Sequence, residues 1–215
     1  MIKIITCANI ACNAQYVASF AKLRYRVFVE RLGWTAPDQS SALGFEYDRF
    51  DTKDAIYILV CNAQSEVIAG VRLIKTTSHF LLAQLFPTLD PQAIPTGEDV
   101  LEVTRFVVEP NRERLGGCSD PVGQLVMALQ EFGLNNSLRN FISVSYAGME
   151  RLLSQAGCRF ARLGGPQRFD GRMAVPLKFE ISKDVLSAVQ NRLGTPRVEE
   201  PIIVPSHPVF VAMAA

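Results

Sequence analysis

The sequence predicts a single-domain α/β fold, an αβα sandwich with a mixed, bulged central sheet. The 215 residues suit one domain, and 48% of them are apolar, which is enough for a sizeable core. Strand-like and helix-like segments alternate along the chain, which predicts helices on both faces of a sheet. Two strand-like segments are joined by a turn of hairpin length, and this antiparallel pair makes the sheet a mixed one.

Six segments predict strands because they are short runs rich in β-branched and aromatic residues. The turn NAQSE joins the second run to the third, and Pro110 ends the fourth. In chain order, the predicted strands are residues 2–6, 55–61, 67–74, 100–108, 140–145 and 173–181.

Five segments predict helices. In the first, apolar residues recur at intervals of three or four, which places them on one helical face. Asn13, Asp120 and Ser182 stand where N-caps are expected, and Gly157 and Gly194 stand where helices end. In chain order, the predicted helices are residues 14–32, 79–86, 121–133, 148–156 and 183–193.

Residues 1–194 are predicted to form the single domain, and residues 195–215 a Pro-rich tail. The tail carries four prolines, so we expect it to be extended rather than helical. No repeat or low-complexity segment divides the rest of the chain.

Composition and charge exclude several classes of partner and cofactor. A formal net charge of +1 predicts neither nucleic-acid binding nor stable membrane association. No stretch approaches the ~18 apolar residues that a membrane-spanning helix needs. The five cysteines lack C-x-x-C spacing and there are only two histidines, so we expect no metal site and free thiols in a reducing cytoplasm.

A dense group of acids lies in the stretch FEYDRFDTKDAIYILV, where Glu46, Asp48, Asp51 and Asp54 lead into an apolar run. Such a group is a solvated turn, a metal site or a socket for a cation. The spacing matches no calcium loop. Aromatic residues alternate with the acids, and aromatic faces attract cations.

Three arginines stand in apolar surroundings. Arg24 shares a predicted helical face with core residues, so it either pairs with an anion or extends its stem to solvent. Arg72 has apolar neighbours in its strand and needs an anionic partner. In LEVTRF, Glu102 and Arg105 point to opposite faces of a regular strand, and only a bulge brings them to a common ligand. The alternative is an ion pair between strands.

The segment RERLGG precedes a predicted helix. Arg112, Arg114, Gly116 and Gly117 lie in it, and glycines before a helix N-terminus provide free N–H groups for an anion.

Together these residues form an ordered set that resembles the acyl-homoserine-lactone synthases of bacterial quorum sensing. The resemblance covers residues 20–160 well and includes the motifs E-x-D-x-x-D and E-x-[ST]-R-F. The set comprises Arg24, Phe28, Trp34, Asp48, Asp51, Arg72, Glu102 and Arg105.

The resemblance implies an N-acetyltransferase-like fold and two substrates. One is S-adenosylmethionine, consumed as a substrate, with no further cofactor. The other is an acyl thioester carried by acyl carrier protein or coenzyme A. The enzyme acylates the amine of S-adenosylmethionine and then closes a lactone, releasing methylthioadenosine.

The resemblance also implies roles for individual residues. The catalytic residues are Glu102 as the base, with Arg105, Asp48 and Asp51. Arg72 makes a structural ion pair with Asp48 or Asp51. Residues implied to bind S-adenosylmethionine are Arg24, Phe28, Trp34, Asp48, Arg105 and Phe106. The acyl pocket is implied to contain Ile142, Val144, Met149, Leu152 and Leu153, and the pantetheine phosphate loop Arg112, Arg114, Gly116 and Gly117.

Several alternatives remain. In the family that this sequence resembles, a threonine at the position of Ile142 accompanies 3-oxo acyl chains, so the resemblance implies an unsubstituted chain. An enzyme that takes its acyl group from acyl carrier protein needs a basic surface to bind that acidic protein. Six arginines of this sequence could form such a surface. Two other functions compete with lactone synthesis. The protein could be another N-acyltransferase of the same superfamily, which acts on a different amine, or a non-enzymatic binding module. The six arginines are Arg112, Arg114, Arg139, Arg151, Arg159 and Arg162.

Overall fold

The computed structural model describes residues 1–34, 43–169 and 171–194. The predicted tail and most of the predicted loop at 35–44 lie outside the described residues. Eight strands in the described part form one sheet. They are β1 Ile2–Ile5, β2 Ile56–Cys61, β3 Val67–Lys75, β4 Val100–Val108, β5 Asn140–Tyr146, β6 Phe160–Arg162, β7 Gln167–Phe169 and β8 Arg172–Glu180.

The strand order is β1-β2-β3-β4-β5-β8-β6, with β7 also paired to β8. Only β4 and β5 pair in parallel, and the other neighbours are antiparallel. The prediction of a mixed sheet is therefore confirmed. The sequence did not predict β6 and β7, because three residues are too few to show a periodicity of two.

The helices agree with the predicted segments except near their ends. The 3-10 turns Ala11–Asn13, Pro91–Ala93 and Arg112–Leu115 lie between the regular elements of the part of the chain that the structure describes. The α-helices are α1 Ala14–Arg24, α2 Leu81–Leu85, α3 Pro121–Asn135, α4 Met149–Gln155 and α5 Lys183–Leu193.

The first predicted helix differs most from the structure. It is an α-helix only as far as Arg24, and Tyr25–Arg31 continue it as a wider π-helix. Asn13 does not cap it, because the chain is already helical before it. Its side chain donates instead to the carbonyl of Asn9, at 2.9 Å. Such wide turns are rare and are frequent at functional sites.

Helices cover both faces of the sheet. Leu59 of β2 packs with Phe20 of α1 on one face. Ile58, the preceding residue, packs with Leu125 and Phe132 of α3 on the other. Because successive strand residues point to opposite faces, β2 contributes to both layers of the core. The helix α5 lies against α3.

Helix α1 lies close to β3 at Gly70. A Cβ added there would come within 2.7 Å of side-chain atoms of both Leu59 and Phe20. A larger residue would push the helix away from the sheet. Glycine at this position therefore sets the short distance between α1 and the sheet. Arg24 lies on the same helix, so its position depends on this distance too.

A β-bulge interrupts β4. Gly70 faces Val107 and Arg72 faces Thr104, so two residues of β4 stand opposite one residue of β3. The first of the two, Arg105, has φ +53°, in the left-handed region that non-glycine residues rarely adopt. The predicted bulge is confirmed.

Strands β4 and β5 pair over only three residues each. The pairs run from Val100 with Asn140 to Glu102 with Ile142, although β5 continues to Tyr146 and β4 beyond its bulge. Beyond Glu102 the two strands separate, and the sheet has an opening next to the bulge.

Candidate active site

Three arginines and three carboxylates form one network beside the bulge, called here the arginine–carboxylate network. Helix α1, the segment before β2 and strands β3 and β4 contribute to it. Its two least buried side chains, those of Arg105 and Asp48, are only 11% and 10% exposed. The members are Arg24, Arg72, Arg105, Glu46, Asp48 and Asp51.

Arg24 binds two of the carboxylates. Its Nη1 and Nη2 donate to the two oxygens of Asp51 at 2.7 and 2.9 Å, a bidentate pair. Its Nε donates to Glu46. The side chain is 1% exposed, so the choice left open between a paired and a solvated arginine is settled in favour of the pair.

Arg72 is fully buried and binds the two aspartates. Its Nη1 and Nη2 donate to Asp48 at 2.6 and 2.9 Å, and Nη1 lies 2.8 Å from Asp51. Its Nε donates to the hydroxyl of Thr104 at 3.1 Å. Strand β3 therefore contributes a structural cation to the network.

Arg105 completes the network from the bulge. Its Nη2 lies 2.9 Å from Glu46 and 2.5 Å from Asp48. Its positive φ changes the direction of the side chain relative to a regular strand. This turns Arg105 toward the carboxylates that also bind Arg24 and Arg72.

The network keeps its aspartates ionised. Burial by itself raises their pKa values, but hydrogen bonds and charge interactions with the arginines outweigh it. The pKa of Asp48 is lowered by Arg72 and Arg105, and the pKa of Asp51 is held well below its usual range by Arg24 and Arg72. Both aspartates are therefore ionised at neutral pH, and their hydrogen bonds hold Arg24 and Arg72 in place.

An aromatic pair covers Arg105. The rings of Phe28 and Trp34 are stacked, with centroids 4.5 Å apart. The guanidinium carbon of Arg105 lies 5.7 Å from the Phe28 ring and 5.5 Å from the Trp34 ring. These distances are typical of cation–π contacts. The π-helix thus brings Phe28 to the bulge, and the turn that follows it brings Trp34.

Glu102 is fully buried next to this group. Its two oxygens accept hydrogen bonds from the backbone N–H groups of Leu81 and Leu82, at 2.7 and 2.8 Å. It therefore binds the first turn of α2. Burial raises the pKa of Glu102 to about 8, and the two N–H donors and the charge of Arg72 offset only part of that rise.

The residues assigned to the acyl pocket divide between two clusters. Ile142 and Val144 pack with residues of β3, β4 and α2. Met149 and Leu153 pack with residues of β8 in another cluster, and Leu152 is exposed. The two clusters lie on opposite faces of β5, so the five residues do not line one pocket in this structure.

Phe106 and the predicted phosphate loop were also assigned to the site, and no side-chain hydrogen bond or ion pair among the described residues joins them to the network. Phe106 packs with the cluster that contains Leu153 and is not part of the aromatic pair. Gly116 and Gly117 both have positive φ, at 55° and 84°, between the 3-10 turn and α3. The backbone carbonyl of Arg114 accepts a hydrogen bond from Asn62, while the side chain of Arg112 lies outside the described residues. The phosphate role of this loop stays a prediction.

The structure places further residues in the site, of which the sequence pattern indicated only Glu46. Glu46, whose role was left open, joins Arg24 to Arg105. Tyr57 donates from its hydroxyl to Asp51 at 3.1 Å. Tyr146 accepts a hydrogen bond from the indole N–H of Trp34 at 2.8 Å. The motif E-x-D-x-x-D was a signal for Glu46, whereas no local pattern distinguishes the two tyrosines.

Comparison with known proteins decides the family. The family model described as autoinducer synthase matches residues 9–189. The chain belongs to this family. An acyl-homoserine-lactone synthase of Acinetobacter nosocomialis is 33% identical over 162 residues, which are 72% of this chain and 86% of the relative. This autoinducer synthase homologue is therefore an acyltransferase.

Solved structures agree with the family and the fold. The CoA-dependent acyl-homoserine lactone synthase BjaI, solved with SAM and isopentyl-CoA, superimposes with a TM-score of 0.79 at 26% identity, over 92% of this chain and 90% of that one. An acyl-CoA N-acyltransferase from Pseudomonas aeruginosa, 18% identical, has a TM-score of 0.55 over 83% of this chain and 98% of that one. The second likeness confirms the N-acetyltransferase-like fold. No helix in the described part of the chain is long and apolar enough to cross a membrane.

Proposed function

We propose that this protein makes an acyl-homoserine lactone from S-adenosylmethionine and an acyl-CoA with an unsubstituted acyl chain. The observation that carries the proposal is the position of Arg105. The bulge holds it against two carboxylates and under two aromatic rings, beside the opening between β4 and β5.

Arg105 has one guanidinium nitrogen left for the substrate. Its Nε and Nη2 bind Glu46 and Asp48, and Nη1 has no carboxylate partner among the described residues. Nη1 binds the carboxylate of S-adenosylmethionine. The rings of Phe28 and Trp34 attract the sulfonium, because aromatic faces stabilise cations.

The first step joins the two substrates. The α-amine loses a proton and attacks the thioester carbonyl, forming an amide, and the CoA thiol leaves. Arg105 and Phe106 interrupt the regular pairing of β4 with β3, and we assign their backbone N–H groups to stabilising the oxyanion. One such donor is often worth ~3 kcal/mol.

The second step closes the lactone within the same substrate. The carboxylate attacks its own γ-carbon and the C–S bond breaks, so that methylthioadenosine leaves with the bonding electron pair and neutralises the sulfonium. Arg105 holds the carboxylate, and the proximity of the reacting atoms lowers the barrier.

Glu102 takes the proton from the amine, through a water molecule. With its pKa raised to about 8, it matches the pKa of a free α-amine, which is about 8. Proton transfer between groups of equal pKa costs little free energy. Both oxygens of Glu102 accept backbone hydrogen bonds, and each has a second lone pair for the water.

The donor is coenzyme A rather than a carrier protein. BjaI, which has a similar fold, is CoA-dependent. Three of the arginines available for an acidic carrier are already paired within the chain. The pairs are Arg139 with Asp99, Arg159 with Glu180, and Arg162 with Glu150.

The acyl chain is unsubstituted because its surroundings near β5 are apolar. Ile142 is fully buried and packs with Ile74, Leu82 and Val100. The side chains packed around Ile142 in this cluster are aliphatic or aromatic, which suits an unsubstituted chain.

The test is to incubate the purified protein with S-adenosylmethionine and matched acyl-CoA and acyl-carrier thioesters, with and without a 3-oxo group. Mass spectrometry then identifies the products. We expect a homoserine lactone and methylthioadenosine from the unsubstituted acyl-CoA. Thiol release without methylthioadenosine would indicate a different amine substrate. Faster turnover with carrier thioesters or 3-oxo chains would contradict the assigned donor or chain.

A further inference from the structure

The geometry points to Tyr146 as a positioning residue that holds Trp34 in the wall of the S-adenosylmethionine site through its hydroxyl. The inference rests on the proposed function, which assigns that ligand.

Trp34 is in contact with Tyr146, Phe28 and Arg105. Its indole N–H donates to the hydroxyl of Tyr146 at 2.8 Å, and the two rings meet edge to face at 6.1 Å and 83°. On its other side, the Trp34 ring is stacked on Phe28 and lies over Arg105. The hydrogen bond and the two ring contacts together fix the orientation of the indole.

Tyr146 reaches Trp34 from the far side of the opening in the sheet. It is the last residue of β5, beyond the point where β5 leaves β4. A second contact joins the same regions, since Arg172 at the start of β8 lies over the Tyr146 ring at 5.4 Å and donates to the carbonyl of Leu32 at 3.4 Å. The segment before Trp34 is thus joined to the ends of β5 and β8.

This contact prepares the site before the substrate arrives. Trp34 follows Gly33, whose φ of +73° marks a turn at the end of the π-helix. Because Trp34 lies beyond the last residue of the π-helix, the backbone does not fix its side chain, and its contacts with Tyr146 and Phe28 set the position of the ring. S-adenosylmethionine binds against this indole, so loss of the neutral hydrogen bond that orients it should weaken substrate binding by about 2- to 10-fold.

The experiment uses Tyr146→Phe, Trp34→Phe and the double variant. Trp34 is the sole tryptophan, so intrinsic fluorescence reports on this indole alone. We expect Tyr146→Phe to change the emission spectrum of the ligand-free protein. We also expect it to raise the dissociation constant and KM for S-adenosylmethionine about 2- to 10-fold, with kcat changed less than twofold.

The double variant separates this hydrogen bond from other effects of Tyr146. Phenylalanine at position 34 has no N–H group, so adding Tyr146→Phe to Trp34→Phe should weaken binding no further. An equal loss in both backgrounds would overturn the inference, as would unchanged fluorescence and affinity in Tyr146→Phe.

Tyr16→Phe is the matched control, because Tyr16 lies on α1 against Lys3 and outside the site. It should leave emission, affinity and turnover unchanged. Failure of the proposed function is recognised separately, as absence of lactone from the unaltered protein. The fluorescence comparison needs no ligand and tests the Tyr146 contact in either case.

Discussion

At the scale of single residues, the four acids before β2 have different roles. Glu46 is buried, Asp48 and Asp51 are partly buried, and all three bind arginines, whereas Asp54 is exposed and forms no ion pair with any described residue. The sequence identified the two aspartates through the family motif but left Glu46 uncertain. Burial and partners, which only the fold provides, distinguish Glu46 from Asp54.

Glu46→Gln should destabilise the protein strongly. The change leaves Arg24 and Arg105 with one carboxylate fewer in a buried setting, and breaking a buried pair costs about 3–5 kcal/mol. Urea unfolding measures the loss. Asp54→Asn is the control and should change the free energy of unfolding by less than ~0.5 kcal/mol. Similar effects of the two substitutions would contradict the role of Glu46.

Glu102→Gln should lower turnover by about 10²- to 10⁴-fold, the usual range for a lost general base. Affinity for S-adenosylmethionine should change much less, because Glu102 binds α2 rather than the network. Steady-state kinetics and calorimetric titration separate the two quantities. Turnover equal to that of the unaltered enzyme would exclude Glu102 as the base.

At the scale of elements, the site depends on how α1 and β4 are placed. The bulge turns Arg105 toward the carboxylates, and the close contact of α1 with β3 at Gly70 brings Arg24 to the same place. Both features are exceptions to regular structure. The sequence predicted the bulge only because Glu102 and Arg105 otherwise face opposite sides, and it gave no sign of the π-helix.

Gly70→Ala should reduce both stability and activity. The new methyl group would overlap Leu59 and Phe20, which overpacks the core at a cost of about 1–3 kcal/mol and lifts α1 from the sheet. Thermal unfolding and product formation measure the two effects. Gly165→Ala is the control, since its Cβ would meet no atom within 4 Å, and it should behave like the unaltered protein.

At the scale of the whole molecule, the two kinds of buried carboxyl group give opposite dependences on pH. The pKa values of Asp48 and Asp51 are lowered on folding, so their contribution is present above about pH 4 and is lost as the pH falls below it. The pKa of Glu102 is raised to about 8, so its contribution is greatest below about pH 4 and is lost as the pH rises toward 8.

The pH dependence of unfolding should therefore change in Glu102→Gln. Between pH 5 and 8, the free energy of unfolding of the unaltered protein should fall relative to that of the variant, by up to ~1.4 kcal/mol per pH unit. Urea titrations at pH 5, 6.5 and 8 measure the difference. A difference that is constant across this range would show that Glu102 ionises with an ordinary pKa.

Much of the fold was predictable because it follows from local patterns. The six predicted strands and five predicted helices exist, and Asp120 and Ser182 cap their helices as expected. The acyl pocket was not predictable in the same way. Ile142 and Met149 are near in sequence, yet the sheet passes between the clusters they join. Sequence distance carries no information on which face of a strand a neighbouring helix covers.

A sequence that carries the arginine–carboxylate network cannot change one of its charges at a time. Its three cations and three anions balance, so each single loss leaves a buried charge without compensation. The protein should tolerate substitutions in this network when an arginine and a carboxylate are replaced together. An example is the replacement of Arg72 and Asp48 by apolar residues of similar volume. In a library of random variants, the folded clones should therefore retain all six residues or have lost them in oppositely charged couples.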